Sequence, residues 1–143
     1  MRSGTTLMEL VVSLAVLAAV AGLAAPRLAE IGDRVEVRAV REELVGLVTR
    51  ARAAGVARGG VTLILESEPP SARILAGDSL LHSESLGSDG RPSELRFPSG
   101  RSTLTLTFDA LGIGRFASGT IIARRGRAEA GIVVSSYGRV RRR

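Results

Sequence analysis

Cysteine, lysine and tryptophan are absent from the 143 residues, and His82 is the one histidine. Without cysteine there is no disulfide framework, no thiolate metal site and no cysteine nucleophile. A single histidine makes a histidine-based metal site or a histidine relay hard to build. Aromatic side chains are scarce too, with three phenylalanines, Tyr137 and no tryptophan. The remaining routes to catalysis are also thin. Asp78, Ser79 and His82 lie close together, but around a predicted wet turn that offers no oxyanion donor. The Gly112-x-Gly114 pair lacks the lysine and the strand-to-helix context of a phosphate loop. Asp33, Asp78, Asp89 and Asp109 do not follow calcium-loop spacing. The expectation is a protein without enzymatic activity and without a cofactor.

The length suits one ordinary domain, and an apolar N-terminal stretch takes part of it. All 20 basic residues are arginine, and the formal net charge is +6. The arginines and acids balance through residue 119. The excess comes from Arg124, Arg125, Arg127, Arg139, Arg141, Arg142 and Arg143 against Glu129. A charge asymmetry of this kind points to an anionic partner for one end of the molecule, or to a solvated basic tail.

Residues 10–25, LVVSLAVLAAVAGLAA, carry no charge. As a helix they reach ~24 Å, and counted from Thr5 the segment reaches ~30 Å, the thickness of a bilayer core. A secretory signal peptide is the competing reading, because Ala-Gly-Leu-Ala-Ala before Pro26 imitates a cleavage site. Two features oppose it. Glu9 opens the apolar run, where a signal peptide gains nothing from an acid. The helical pattern also continues past Pro26 through Leu28, Ile31, Val35, Val40, Leu44, Leu47, Val48 and Ala51. Pro26 is expected to kink this helix rather than end it. An unpaired acid in hydrocarbon costs roughly 2.5–3.5 kcal/mol at mid-helix, so Glu9 needs a cation, and none adjoins it in the chain.

Residues 3–12, Ser-Gly-Thr-Thr-Leu-Met-Glu-Leu-Val-Val, resemble the leader and helix start of type IV pilins and type II secretion pseudopilins. Gly4 matches the leader glycine; Thr6, Leu7, Glu9 and Leu10 match the following pattern, with Met8 in place of isoleucine. Pro26 falls where many pilins bend. The resemblance implies cleavage between Gly4 and Thr5 by a membrane prepilin peptidase and methylation of the new amine. It also implies pairing of Glu9 with the N-terminal amine of a neighbouring subunit. Thr5 departs from the family's usual phenylalanine.

Past Pro26 the helix is expected to run to about Ala54, with Gly55 and Gly59-Gly60 as its stop. Strands are then expected over 61–66, 73–76, 79–82, 94–97, 103–108, 120–124 and 131–135, with a tight turn at Gly77-Asp78. The fold class is α+β: a long membrane-spanning N-terminal helix packed on a two-sheet antiparallel β domain. The expected divisions are a leader at 1–4, a membrane half-helix at 5–26, an amphipathic half at 27–57 and a β domain at 58–143.

Phe108-Asp-Ala-Leu-Gly112, Gly119-Thr-Ile-Ile-Ala-Arg124 and Ile132-Val-Val-Ser-Ser-Tyr-Gly-Arg139 resemble the GspH/FimT branch of that superfamily. The resemblance implies a minor pseudopilin in a type II secretion pseudopilus, with other pilins and the inner membrane as partners. It implies a cytoplasmic N-terminus and a periplasmic globular domain. Gly138-Arg139-Val140-Arg141 also resembles the motif by which FimT-type pilins capture DNA. In an extended strand Arg139 and Arg141 share a face, and Arg124 and Arg125 are expected to join them if the adjacent strands pair. Clustered guanidiniums bind phosphate oxygens without sequence preference. Two functions therefore stand open: a structural filament subunit, and a DNA-binding one.

Overall fold

The computed structural model describes residues 6–87, 93–115 and 118–143. It is α+β: the described residues form one α-helix, a single 3-10 turn at Pro98–Gly100 and nine antiparallel strands in two sheets. Helix α1 covers Leu7–Arg58 without interruption at position 26. Contacts divide the chain into two units, Met1–Gly32 and Asp33–Arg143. The first contains the apolar start of α1. The second contains the rest of α1 with both sheets, so the charged half of the helix belongs to the β-rich unit.

Both ends of α1 follow from local chemistry. Thr6 stands just before the helix, and its Oγ1 accepts a hydrogen bond from the Glu9 backbone N–H at 3.3 Å. This is the N-cap half of a Thr-x-x-Glu capping box. At the other end Gly59 and Gly60 take φ of 82° and 139°, which L side chains rarely adopt, and the chain turns into the first strand. Gly55 does not act as a stop. It is buried inside the helix, and a Cβ there would lie 3.1 Å from the Asp109 carbonyl oxygen and 3.3 Å from the Phe108 Cβ. Its role is close approach of the helix to a strand.

In the second unit Val37, Val40, Leu44, Leu47, Val48 and Ala51 recur every three or four residues and are at most 2% exposed. This stripe forms the helical part of the core. Strands β1 (Gly60–Ser67), β2 (Pro70–Ala76), β3 (Ser79–Ser85), β4 (Glu94–Arg96) and β5 (Thr103–Asp109) follow. Next come β6 (Gly114–Arg115), β7 (Gly119–Arg125), β8 (Ala128–Val134) and β9 (Val140–Arg142). One sheet has the order β3-β2-β1-β5-β6 and the other β4-β7-β8-β9. Alternation decides which side chains go inward. On β5, Leu104, Leu106 and Phe108 are buried while Thr103, Thr105 and Thr107 are exposed. On β1 the buried set is Val61, Leu63 and Leu65, and on the second sheet it is Ile121, Ala123, Ile132 and Val134. One core cluster joins these with the α1 stripe. Full burial of each large member contributes about 1.5–3 kcal/mol.

The predicted β2–β3 turn is present, with Gly77 at φ 58°. Beyond it the register slips by one residue between Ile74 and Leu75, so Ile74 faces His82 while Leu75 faces Leu80. Two elements differ from expectation. The two-residue β6 pairs with Thr107 and Phe108 of β5. The C-terminal β9, read as an extended basic segment but outside the expected strand ranges, pairs with Ile132, Val133 and Val134 of β8.

Candidate functional site

The first candidate is the start of α1. Every described residue from 6 to 23 is exposed within the chain. Ten of them are large and apolar, Leu7, Met8, Leu10, Val11, Val12, Leu14, Val16, Leu17, Val20 and Leu23, and none is less than 52% exposed. The helix is long and apolar enough to cross a membrane. Moving ten such side chains out of water is worth on the order of 15–30 kcal/mol. An uncompensated carboxylate at mid-helix opposes this by roughly 2.5–3.5 kcal/mol. Burial of the segment therefore wins whether or not Glu9 is paired. Glu9 has a local role of its own, since its N–H is capped by Thr6 and its carbonyl accepts from the Ser13 Oγ at 2.8 Å. No described side chain pairs with its carboxylate. Gly4 and Thr5, the expected processing positions, lie outside the described residues.

The second candidate is the arginine set on the β4-β7-β8-β9 sheet. Register assigns each member to a face. Arg142 is opposite Ile132, and Ile132 is opposite Ile121. Both isoleucines are buried, so Arg142 projects to the helix side. There it holds Glu42 of α1, with Nη2–Oε2 at 2.9 Å and Nε–Oε1 at 3.1 Å. Arg41 donates to the same Glu42 carboxylate at 2.9 Å. These bonds from Arg142 and Arg41 hold the Glu42 carboxyl below its usual range. Arg125 has the parity of Ile121 and Ala123 and likewise turns to α1, 3.2 Å from Asp33 and 3.8 Å from Glu36.

Arg141 is opposite Val133, which is opposite Thr120, on the other face. Arg139 and Arg143 share that parity and are exposed. Arg124 is on this outward face too, but in the pair with Glu129, 3.7 Å away, near the β7–β8 turn. The structure thus brings Arg139 and Arg141 together, while Arg143, at the next outward position, lines a separate recess with Ile122, Glu129 and Gly131. It leaves Arg124 beside Glu129, away from Arg139 and Arg141, and sends Arg125 to the opposite side. The expectation that Arg125 joins the cluster is corrected by one residue of strand parity.

The hairpin carrying these arginines is tightly tied. The Arg139 N–H donates to the Ser135 Oγ at 3.2 Å and the Ser135 N–H to the Arg139 carbonyl at 2.9 Å. Gly138 takes φ 71°, and a Cβ there would lie 3.1 Å from Arg52 Cδ and 3.2 Å from Phe108 Cε1. Arg52 of α1 therefore reaches the base of the hairpin, where its Nε donates to the Gly112 carbonyl at 3.1 Å. A cleft of about 530 Å³ is lined by Arg52, Val133, Ser135, Arg139, Val140 and Arg141. The sequence offers no signal for Arg52, which belongs to a different element far along the chain.

A third polar group gathers on the flank of α1 beside β3. His82 Nε2 is 2.5 Å from Glu84 Oε2 and 2.8 Å from the Arg50 Nη1. One ring nitrogen cannot donate and accept at once, so the tautomer selects between these two bonds, and Arg50 also pairs with the Glu84 carboxylate at 3.6 Å. Partial burial, with Glu84 and Glu36 nearby, pushes the Glu43 carboxyl up despite a hydrogen bond from the Gly87 backbone. Among the described residues no group of three His, Asp or Glu side chains is arranged to hold a metal. No protein-family model, curated protein or solved structure matches this chain.

Proposed function

We propose that this protein is a non-enzymatic, membrane-anchored filament subunit of the minor pseudopilin kind, serving a type II secretion pseudopilus. The observation that carries the reading is the apolar first part of α1, exposed on all sides within its own chain. Burial worth tens of kcal/mol needs a bilayer, then neighbouring helices, to cover it. The resemblance of residues 3–12 to a pilin leader and helix start adds the direction of insertion and the processing step. Glu9 then contributes to assembly rather than to insertion, since its cost is small beside the apolar gain.

The absence of cysteine makes the test clean. A single Val16→Cys change supplies the only thiol in the chain. Labelled with a thiol-reactive benzophenone, in membranes containing the partner pilins, it is expected to photocrosslink to a neighbouring subunit. Adding Glu9→Ala is expected to reduce that crosslink severalfold while the protein stays in the membrane fraction. An undiminished crosslink would remove Glu9 from the assembly account, and a chain recovered as a soluble monomer would remove the anchor itself.

A second reading is supported by the outward arginines. Arg139, Arg141 and Arg143 present guanidiniums on one exposed face, and no described carboxylate pairs with any of them. Such a face suits the backbone of DNA. On this reading the subunit captures DNA for uptake rather than serving secretion.

A further inference from the structure

The cleft at the base of the β8–β9 hairpin joins residues that the sequence keeps far apart. Arg52 comes from α1, Arg139 and Arg141 from the C-terminal hairpin, and Val133 and Val140 supply apolar walls. Elsewhere in the same unit arginines meet carboxylates: Arg50 with Glu84, Arg73 with Glu66, Arg125 with Asp33, Arg142 with Glu42. Here three arginines line one cleft, and among the described residues no carboxylate pairs with any of them. Like charges gathered this way repel, and an anion relieves the repulsion.

Arg52 is also held in place before any ligand arrives. Its Nε is fixed on the Gly112 carbonyl. Its stem lies against Gly138, where the absence of a Cβ leaves the room. The hydrogen bond uses one edge of the guanidinium and leaves the terminal nitrogens for a ligand. A planar fork oriented in advance loses little freedom on meeting a phosphate.

We propose that this cleft seats one backbone phosphate of a nucleic acid, with Arg52 as a third binding guanidinium beside Arg139 and Arg141. The inference rests on the nucleic-acid reading above and adds a residue and a location to it. A phosphate in the cleft is flanked by guanidiniums from two elements, and the valine walls thin the water that screens them. Further backbone phosphates then run over the outward face toward Arg143.

The test uses the full chain in detergent and fluorescence anisotropy with a short labelled duplex, between about 50 and 200 mM salt. Wild type is expected to bind with a steep salt dependence. Arg52→Gln is expected to weaken binding roughly five- to tenfold and to lower the logarithmic salt slope by about one. Arg52→Lys, which keeps the charge but not the fork, is expected to recover the slope. Val133→Glu, which introduces a carboxylate without touching Arg52, is expected to weaken binding similarly, and Val133→Gln is not. If Arg52→Gln fails to fold, the Val133 pair decides.

Normal binding by Arg52→Gln and Val133→Glu, with Arg139→Gln/Arg141→Gln impaired, would overturn the cleft while sparing the DNA reading. So would an Arg52→Lys slope as low as that of Arg52→Gln, which marks a purely structural role. No binding by wild type at low salt would remove the DNA reading and this inference with it. Polyglutamate competing as well as the duplex would make the partner an acidic protein. Inorganic phosphate competing at matched phosphate concentration would make the ligand a free anion. Either competition result contradicts the proposal.

Discussion

Two glycines on α1 should respond to the same substitution with opposite signs. Gly46 is exposed on the helix, and a Cβ there would meet nothing within 4 Å. Gly46→Ala removes the backbone entropy penalty of glycine and should stabilise the protein by about 0.8–1 kcal/mol. Gly55 lies under β5, with the Asp109 carbonyl 3.1 Å and the Phe108 Cβ 3.3 Å from the position its Cβ would take. Gly55→Ala gains the same propensity term of about 1 kcal/mol. It must also push a backbone carbonyl and a fully buried phenylalanine aside, and overpacking of this kind typically costs about 1–3 kcal/mol. The contact atoms are backbone and Cβ, which cannot rotate away, so the net should be a loss of up to about 2 kcal/mol. For a domain of this size each kcal/mol moves Tm by about 4 °C. Thermal unfolding of the full chain in detergent, followed by near-ultraviolet circular dichroism, should therefore place Gly46→Ala above wild type and Gly55→Ala below it. Stabilisation by both substitutions would refute the close docking of α1 on β5, and with it the reason given for Gly55.

The neighbouring acids Glu42 and Glu43 should also differ in sign. Glu42 has a lowered carboxyl pKa in the folded state, so its pairing with Arg142 supports folding at pH 7 and is lost as pH falls through that lowered value. Glu42→Gln should lower the pH 7 melting temperature and have no effect near pH 2. Glu43 has a raised pKa, so its ionised form opposes folding above that value, and the penalty disappears below the unfolded value near 4.5. Glu43→Gln should raise the pH 7 melting temperature, with the gain fading on acidification; a pH-independent effect would contradict its assignment. For the arginine face, Arg139→Gln/Arg141→Gln should abolish most duplex binding in a mobility-shift assay while leaving Tm nearly unchanged, because both side chains are exposed and unpaired. Loss of folding in that double variant would make them scaffold residues.

The sequence made the α1 core stripe legible because helical spacing and apolar type coincide at Leu44, Leu47, Val48 and Ala51. It made β5 legible because threonine and leucine alternate strictly. β9 was legible only as an extended run placing Arg139 and Arg141 on one face, because Val-Arg-Arg shows no alternation that would fix its partner. That strand is positioned by the positive φ of Gly138 and by backbone bonds such as Arg143 N–H to the Gly131 carbonyl. Gly55 read as a stop because the sequence shows the residue but not the strand above it. The arginine set was legible as a basic cluster, whereas its division between two faces depends on register. Arg125 and Arg142 face the acids of α1, and Arg139 and Arg141 face outward. Arg52 carried no sequence signal, because only the fold brings it to the C-terminal hairpin.

The anchored-subunit account stands or falls on how the N-terminus is processed. Co-expression of the full chain with a prepilin peptidase, followed by mass spectrometry of the membrane fraction, reads this directly. The account gives a mature chain that starts at Thr5 and carries Glu9 as its fifth residue. A chain that retains Met1, or one cleaved after Ala25, would contradict it.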